Sequence, residues 1–110
     1  MHARNVRIKL KWNSALEFTR ILEEEIVPLL RKQKGFQHEI SFVAPERNEA
    51  TAISFWDKKD DAEAYNHEAY LDVLRVLSKV ITGMPIVETF EVANSTSHQI
   101  AASTIYQTGS

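Results

Sequence analysis

An α+β fold, with four antiparallel strands in one sheet and helices packed on one of its faces, is predicted by three observations. Four segments alternate apolar and polar residues with a period of two. Two further segments carry apolar residues at helical spacing. The order is β-α-β-β-α-β, with a short turn, Pro45-Glu46-Arg47-Asn48-Glu49, between the second and third strands.

Taken in order, the first strand is predicted over residues 6–12, where Val6, Ile8, Leu10 and Trp12 share one face and Arg7, Lys9 and Lys11 the other. Asn13-Ser14 ends it, and Ser14 with Glu17 reads as a capping box. A helix follows over residues 15–34, with Phe18, Ile21, Leu22, Ile26 and Leu29 on one side and a kink expected at Pro28. Arg31, Lys32 and Lys34 suit the negative end of that helix, and Gly35 suits its stop. The second strand spans residues 36–43, with Phe36, His38, Ile40 and Phe42 together, and the third spans residues 50–56. Asp57 is a good N-cap, with Asp60 placed to reciprocate. Helical spacing then runs from Lys58 to Ile81 with a break expected near Asn66-His67, and Tyr70, Val73, Leu74, Leu77 and Ile81 line one face. Thr82-Gly83-Met84-Pro85 leads into a last strand over residues 86–93. Two right-handed β-α-β crossovers around a hairpin give the ferredoxin-like arrangement. Residues 1–94 therefore read as one domain, and residues 95–110, rich in Ser, Thr, Gln, Ala and Gly, as a polar C-terminal tail.

Composition removes several classes of function. At 110 residues, with 44% hydrophobic residues, the chain is of single-domain size and carries enough apolar surface for a core. A net charge of −2 argues against nucleic-acid partners and anionic membrane surfaces. The absence of cysteine excludes disulfides and thiolate chemistry. No apolar run approaches the ~20 residues of a membrane span and the N-terminus lacks a signal-peptide core, so a cytoplasmic location is expected. His2, His38, His67 and His98 have no metal-ligand spacing. Phosphate-binding glycine loops and nucleophile elbows are also missing.

With both helices on one face, the other face of the sheet is expected to carry Arg7, Lys9, Lys11, Gln37, Glu39, Val43, Val87 and Glu91, with Trp56 a further candidate. That mixture suits a partly polar homodimer interface. Candidate catalytic residues are polar side chains on faces that should be apolar. Glu25 falls in the first helical stripe, His38 lies among Phe36, Ile40 and Phe42, and Glu88 lies among Ile86, Phe90 and Val92. His67 precedes the second helical stripe. In an apolar cleft, desolvation moves carboxylate and imidazole pKa values toward neutrality, which suits acid–base work. The alternative is that each reaches water at the edge of the core.

The stretch Leu29-Leu30-Arg31-Lys32-Gln33-Lys34-Gly35-Phe36, and the Phe55-Trp56-Asp57 junction followed by Ala62, Ala64 and Tyr65, resemble the dimeric α/β-barrel superfamily and within it the antibiotic biosynthesis monooxygenase-like group. The resemblance covers residues 4–94. It implies two sheets facing each other in a homodimer and a cleft between helices and sheet in each protomer. Some members of that group oxidise aromatic polyketides without metal or flavin, so the resemblance implies no cofactor and a small aromatic ligand. It also implies Trp56, with Tyr65 and Asn66, as substrate-binding positions, to which Tyr70 and His67 on the same helical segment are added. The haem-degrading branch shares Trp56 but places an iron-ligating histidine on the next helix. The corresponding turn here carries Asp72, Val73, Leu74 and Arg75, with His67 about two turns too early.

These observations lead to a homodimer that, as an enzyme, abstracts a proton from a small aromatic compound or oxidises it. His38 would accept the proton, Glu25 or Glu88 would polarise His38, and Trp56 with Tyr65 would hold the ring. The alternatives are a non-catalytic ligand-binding dimer and an interaction module working through the tail.

Overall fold

A computed structural model describes residues 1–98. Strands β1 (His2–Lys9), β2 (Phe36–Ala44), β3 (Glu49–Trp56) and β4 (Ile86–Glu91) form one antiparallel sheet in the order β2-β3-β1-β4. The first crossover contains helix α1 (Ala15–Ile21), a π-helical turn (Leu22–Ile26) and helix α2 (Val27–Arg31). The second contains α3 (Lys59–Glu68) and α4 (Tyr70–Leu77), which meet at Ala69. This is the expected ferredoxin-like β-α-β-β-α-β fold. Residues 99–110, most of the expected polar tail, lie outside the described residues.

The helices cover one sheet face. Phe18, Ile21, Ile26 and Leu30 from the first crossover meet Ala62, Tyr65, Val73 and Leu77 from the second above Val6, Ile8, Ala50 and Trp56 of the sheet. The first helix bends where a proline demands it. Pro28 has no N–H to donate, and the Val27 N–H reaches five residues back to the Leu22 carbonyl. The widened turn advances the register, so Leu30 rather than Leu29 goes deepest into the core.

Several local expectations are corrected. β1 starts and ends earlier than residues 6–12: Asn13 adopts a left-handed conformation (φ 56°), and the Lys11 N–H leaves the sheet for the Val80 carbonyl. Trp12 is consequently 84% exposed. Ser14 precedes α1 without a side-chain cap, and Glu17 pairs with Arg20 instead. The helix after β3 is preceded by Lys58 rather than capped by Asp57, whose carboxylate accepts a hydrogen bond from Gln37. The Asp57 N–H is used by the Gly35 carbonyl at 2.8 Å.

The largest correction concerns strand phase. Phe36 pairs with Trp56, but His38 pairs with Phe55, so Gln37 is an extra residue bulged out of β2. Beyond it, Glu39, Ser41 and Val43 face the helices while His38, Ile40 and Phe42 face away, the reverse of strict alternation from Phe36. In β4, Val87, Thr89 and Glu91 register with Val6, Arg4 and His2 on the helix side. Ile86, Glu88 and Phe90 lie on the open side, again opposite to expectation. Trp56, offered for the open face, is fully buried beneath the helices. The physical reason is that both faces of this sheet are largely apolar, so an apolar alternation cannot by itself say which side is inside.

Candidate active site in the helix–sheet cleft

Between the helices and the sheet lies a cleft lined mainly by apolar side chains, among them Val6, Phe18, Leu22, Ile26, Leu30 and Val73. Its polar content comes from one rung of the sheet and from two tyrosines of the second crossover. Cross-strand register puts Glu39, Ser54, Arg4 and Thr89 side by side on the helix face. Glu39, Ser54 and Arg4 all reach the cleft, as do Tyr65 and Tyr70. The next rung inward, Ser41-Ala52-Val6-Val87, is small and almost wholly apolar. A narrow polar band thus crosses the floor of an apolar space.

Arg4 is only 3% exposed. Its Nη2 donates to Asn66 Oδ1 at 2.8 Å, and its guanidinium lies 4.0 Å from the centre of the Tyr70 ring and 5.2 Å from that of Tyr65. Both rings turn their electron-rich faces toward the cation, which offsets part of its desolvation. Tyr65 is held from behind by Trp56, stacked at 5.0 Å between ring centres. Trp56 is itself fixed by Phe36, packed edge-on at 5.6 Å, and by its Nε1, which donates to Ser54 Oγ at 2.9 Å. Burial pushes the Tyr65 phenol up to about 12, against the opposing pull of the Arg4 charge. Burial likewise raises Tyr70, whose hydroxyl has no hydrogen-bond partner among the described residues.

Glu39 supplies the titratable group on the floor. Burial raises its pKa above the ordinary 4.5, and a hydrogen bond from the Ser41 hydroxyl with the nearby His38 only partly opposes this. The cleft is partly open to solvent, and the space inside it is ≈40 Å³, room for about three waters at the ~10–15 Å³ each requires. A ring system therefore needs the cleft to widen. The π-helical turn, where Leu22 and Ile26 line the cleft, already interrupts the regular helical ladder at that wall.

Among the residues singled out from sequence, the structure gathers Tyr65, Tyr70 and, through Arg4, Asn66; Trp56 backs this group without lining the cleft. It does not gather the rest. Glu25 is exposed on the π-helical turn and His67 is exposed on α3. His38 lies on the open face of the sheet against Phe55 and His98, and Glu88 pairs there with Arg7 at 3.4 Å. Sequence reasoning missed Arg4, Ser54 and Glu39. Arg4 was within reach, because carrying the alternation of Val6, Ile8 and Leu10 back by two residues puts it on the core face. Glu39 was hidden by the bulge at Gln37.

Among the described residues, no three His, Asp or Glu side chains converge as metal ligands, and no helix is long and apolar enough to cross a membrane.

No protein-family model matches the chain, and no curated protein is significantly similar to it in sequence. Solved structures are informative. A monooxygenase from the gene ActVA-Orf6 of Streptomyces coelicolor, in complex with nanaomycin D, superposes with a TM-score of 0.73 at 9% identity, covering 86% of this chain and 88% of that one. SnoaB, a cofactor-independent oxygenase from Streptomyces nogalater, gives 0.71 at 15% identity, covering 88% and 97%. A protein of unknown function from Nitrosomonas europaea gives 0.72 at 14% identity, covering 86% and 90%. The chain thus shares the fold of these proteins.

Proposed function

We propose that this protein binds a small aromatic compound in the helix–sheet cleft and oxidises it with molecular oxygen, without metal or flavin. The observation that carries the reading is Glu39: a carboxyl group with a burial-raised pKa, set on the floor of an apolar space walled by tyrosines. A base in that setting is better matched to a weakly acidic substrate than an exposed carboxylate is. The similarity in fold to a cofactor-independent oxygenase and to a monooxygenase supports the same reading.

In this scheme the Glu39 carboxylate takes a proton from an activated methylene or phenol of the bound ring. The resulting anion gives its electrons to O₂. For a methylene, one oxygen atom ends as the new carbonyl and the other leaves as water, so CH₂ and O₂ become C=O and H₂O. Tyr65 and Tyr70 border the ring, and Trp56 fixes Tyr65. Glu39 thus takes the base role that sequence spacing offered to His38.

His38 and Glu88 belong instead to the open sheet face, which in this reading meets a second protomer. Ile40 and Phe42 on β2 and Ile86 and Phe90 on β4 are exposed there, apolar corners around a polar centre, an arrangement that suits an interaction site.

The test is oxygen uptake and ¹⁸O₂ incorporation with a panel of anthrones and hydroxynaphthalenes, using wild type and Glu39→Gln. Turnover by wild type that falls about 10²–10⁴-fold in Glu39→Gln supports the scheme. Binding without oxygen uptake by either protein would overturn it in favour of a non-catalytic ligand-binding dimer. The small volume of the cleft is the one observation that favours that second reading.

A further inference from the structure

We infer that the cleft selects ligands carrying an anionic oxygen, an aromatic carboxylate above all, and that Arg4 is the residue that reads it. This rests on the reading of the cleft as an aromatic-ligand site and specifies the chemical class of that ligand.

Arg4 is almost completely buried, and among the described residues no carboxylate lies within ion-pair distance of it. A guanidinium stays protonated in any such setting, so it cannot escape the cost of burial by losing its proton. Its side-chain hydrogen bond goes to a neutral amide, Asn66. The tyrosine faces below it supply only a partial charge, a weaker counterpart than a carboxylate. An arginine fork offers five N–H donors, and bidentate pairing with a planar carboxylate is what its geometry best matches.

The placement of Arg4 turns this deficit into a binding feature. Its side chain lines the apolar cleft on one side and, on the other, a cavity of ≈260 Å³ between α3 and strands β1 and β4. That second cavity is bordered by His2, Lys59 and Asn66 as well as by Glu63, which Lys59 faces at 3.8 Å. A ligand with its ring in the apolar cleft and its anionic group at Arg4 would satisfy both halves of the site. The Tyr70 hydroxyl, buried and unpartnered among the described residues, is a further donor beside Arg4, whose guanidinium lies 4.0 Å from the Tyr70 ring centre. Tyr65 and Tyr70 stay neutral well above neutral pH because burial raises both, so they do not compete with the ligand as anions.

The test compares a matched pair, 2-naphthoate and its neutral isostere 2-naphthamide, by titration calorimetry against the full-length protein. Wild type should bind the carboxylate about ten- to a hundredfold more tightly than the amide. Arg4→Gln should abolish that preference while retaining amide binding. Arg4→Lys, which keeps the cation but not the fork, should retain part of it. The fluorescence of Trp56 in a Trp12→Phe background checks that each variant is folded. Equal affinity for the two ligands, or a carboxylate preference that survives Arg4→Gln, would sink the inference while leaving the aromatic cleft intact. Failure of both ligands to bind wild type would overturn the cleft reading and this inference with it.

Discussion

Two residues on one rung of the sheet, Glu39 and Arg4, hold opposite charges in the same low-dielectric space, and they respond to it differently. Arginine cannot shed its charge; glutamate can, and burial raises the Glu39 pKa above 4.5. The sign of the consequence for stability follows. A carboxyl whose folded pKa is raised binds its proton more tightly in the folded state than in the unfolded one. Its favourable contribution is complete below pH 4.5 and is lost as pH rises through the folded value. Glu39→Gln mimics the protonated form, so its melting temperature relative to wild type should be more favourable at neutral pH than at pH 4.5 or below. Thermal melts of both proteins across that range check this, and a constant difference would refute the shift. A second prediction concerns the two tryptophans. Trp12, 84% exposed, should tolerate Trp12→Phe within about 0.5 kcal/mol. Trp56→Ala, which empties a fully enclosed site beside Phe36 and Tyr65, should cost about 3–5 kcal/mol in denaturant unfolding.

At the scale of the elements, the junction that ties the first crossover to the second is Gly35. It stands at φ 78°, and a Cβ there would fall 2.1 Å from Asp61 Oδ2, inside α3. Gly35→Ala therefore meets both a left-handed backbone and a buried carboxylate. Destabilisation of about 1–3 kcal/mol is expected from the backbone alone, with the displacement of Asp61 adding to it. Chemical denaturation showing no loss would mean that α3 can move away from β2 without cost. The same junction shows how far a sequence can be read. Gly35 was legible as a helix stop, and the element order was legible because period two and period 3.6 are easily told apart. The break between α3 and α4 was expected near Asn66-His67 and occurs at Ala69. The π-helical turn was visible only as a kink at Pro28. Strand phase was not legible, because a bulge of one residue at Gln37 reverses every side chain after it and leaves no mark in composition. That single residue separates His38, the expected base, from Glu39, the carboxyl that reaches the cleft. Tyr65 and Asn66, which the family resemblance put forward, and Tyr70 on the same helical segment stand at the cleft or beside Arg4, whereas Arg4 was missed at the start of a strand drawn too short.

For the whole molecule, the sheet has two faces of similar apolar character, and among the described residues the helices cover only one. On the open side, register lines up Phe42-Thr51-Arg7-Ile86, then Ile40-Ile53-Asn5-Glu88, then His38-Phe55-Ala3-Phe90. Phe42 is 57% exposed and Phe90 is 53% exposed. The Arg7–Glu88 pair and Asn5, whose Oδ1 is buried without a partner among the described residues, set a polar centre within this apolar frame. A second copy laid across it would bury the aromatic corners and offer Asn5 a hydrogen bond, in an interface of the ~1,200–2,000 Å² typical of stable pairs. Because a two-fold interface uses each residue twice, a charge introduced at one corner acts at two places. Phe90→Asp should weaken association by about 2–4 kcal/mol, roughly 30- to 1,000-fold in the dissociation constant. The protomer itself should stay folded, since Phe90 contributes little to its core. Light scattering at micromolar concentration should give a dimer mass for wild type and a monomer mass for Phe90→Asp, with unchanged circular dichroism. A monomeric wild type would remove the dimer and leave the open face without its partner. A dimeric Phe90→Asp would place the contact on another surface, such as the exposed Trp12–Leu16 corner. If the dimer forms through the sheet, the helix–sheet clefts of the two protomers open away from the interface, and ligand binding at Arg4 should survive dissociation.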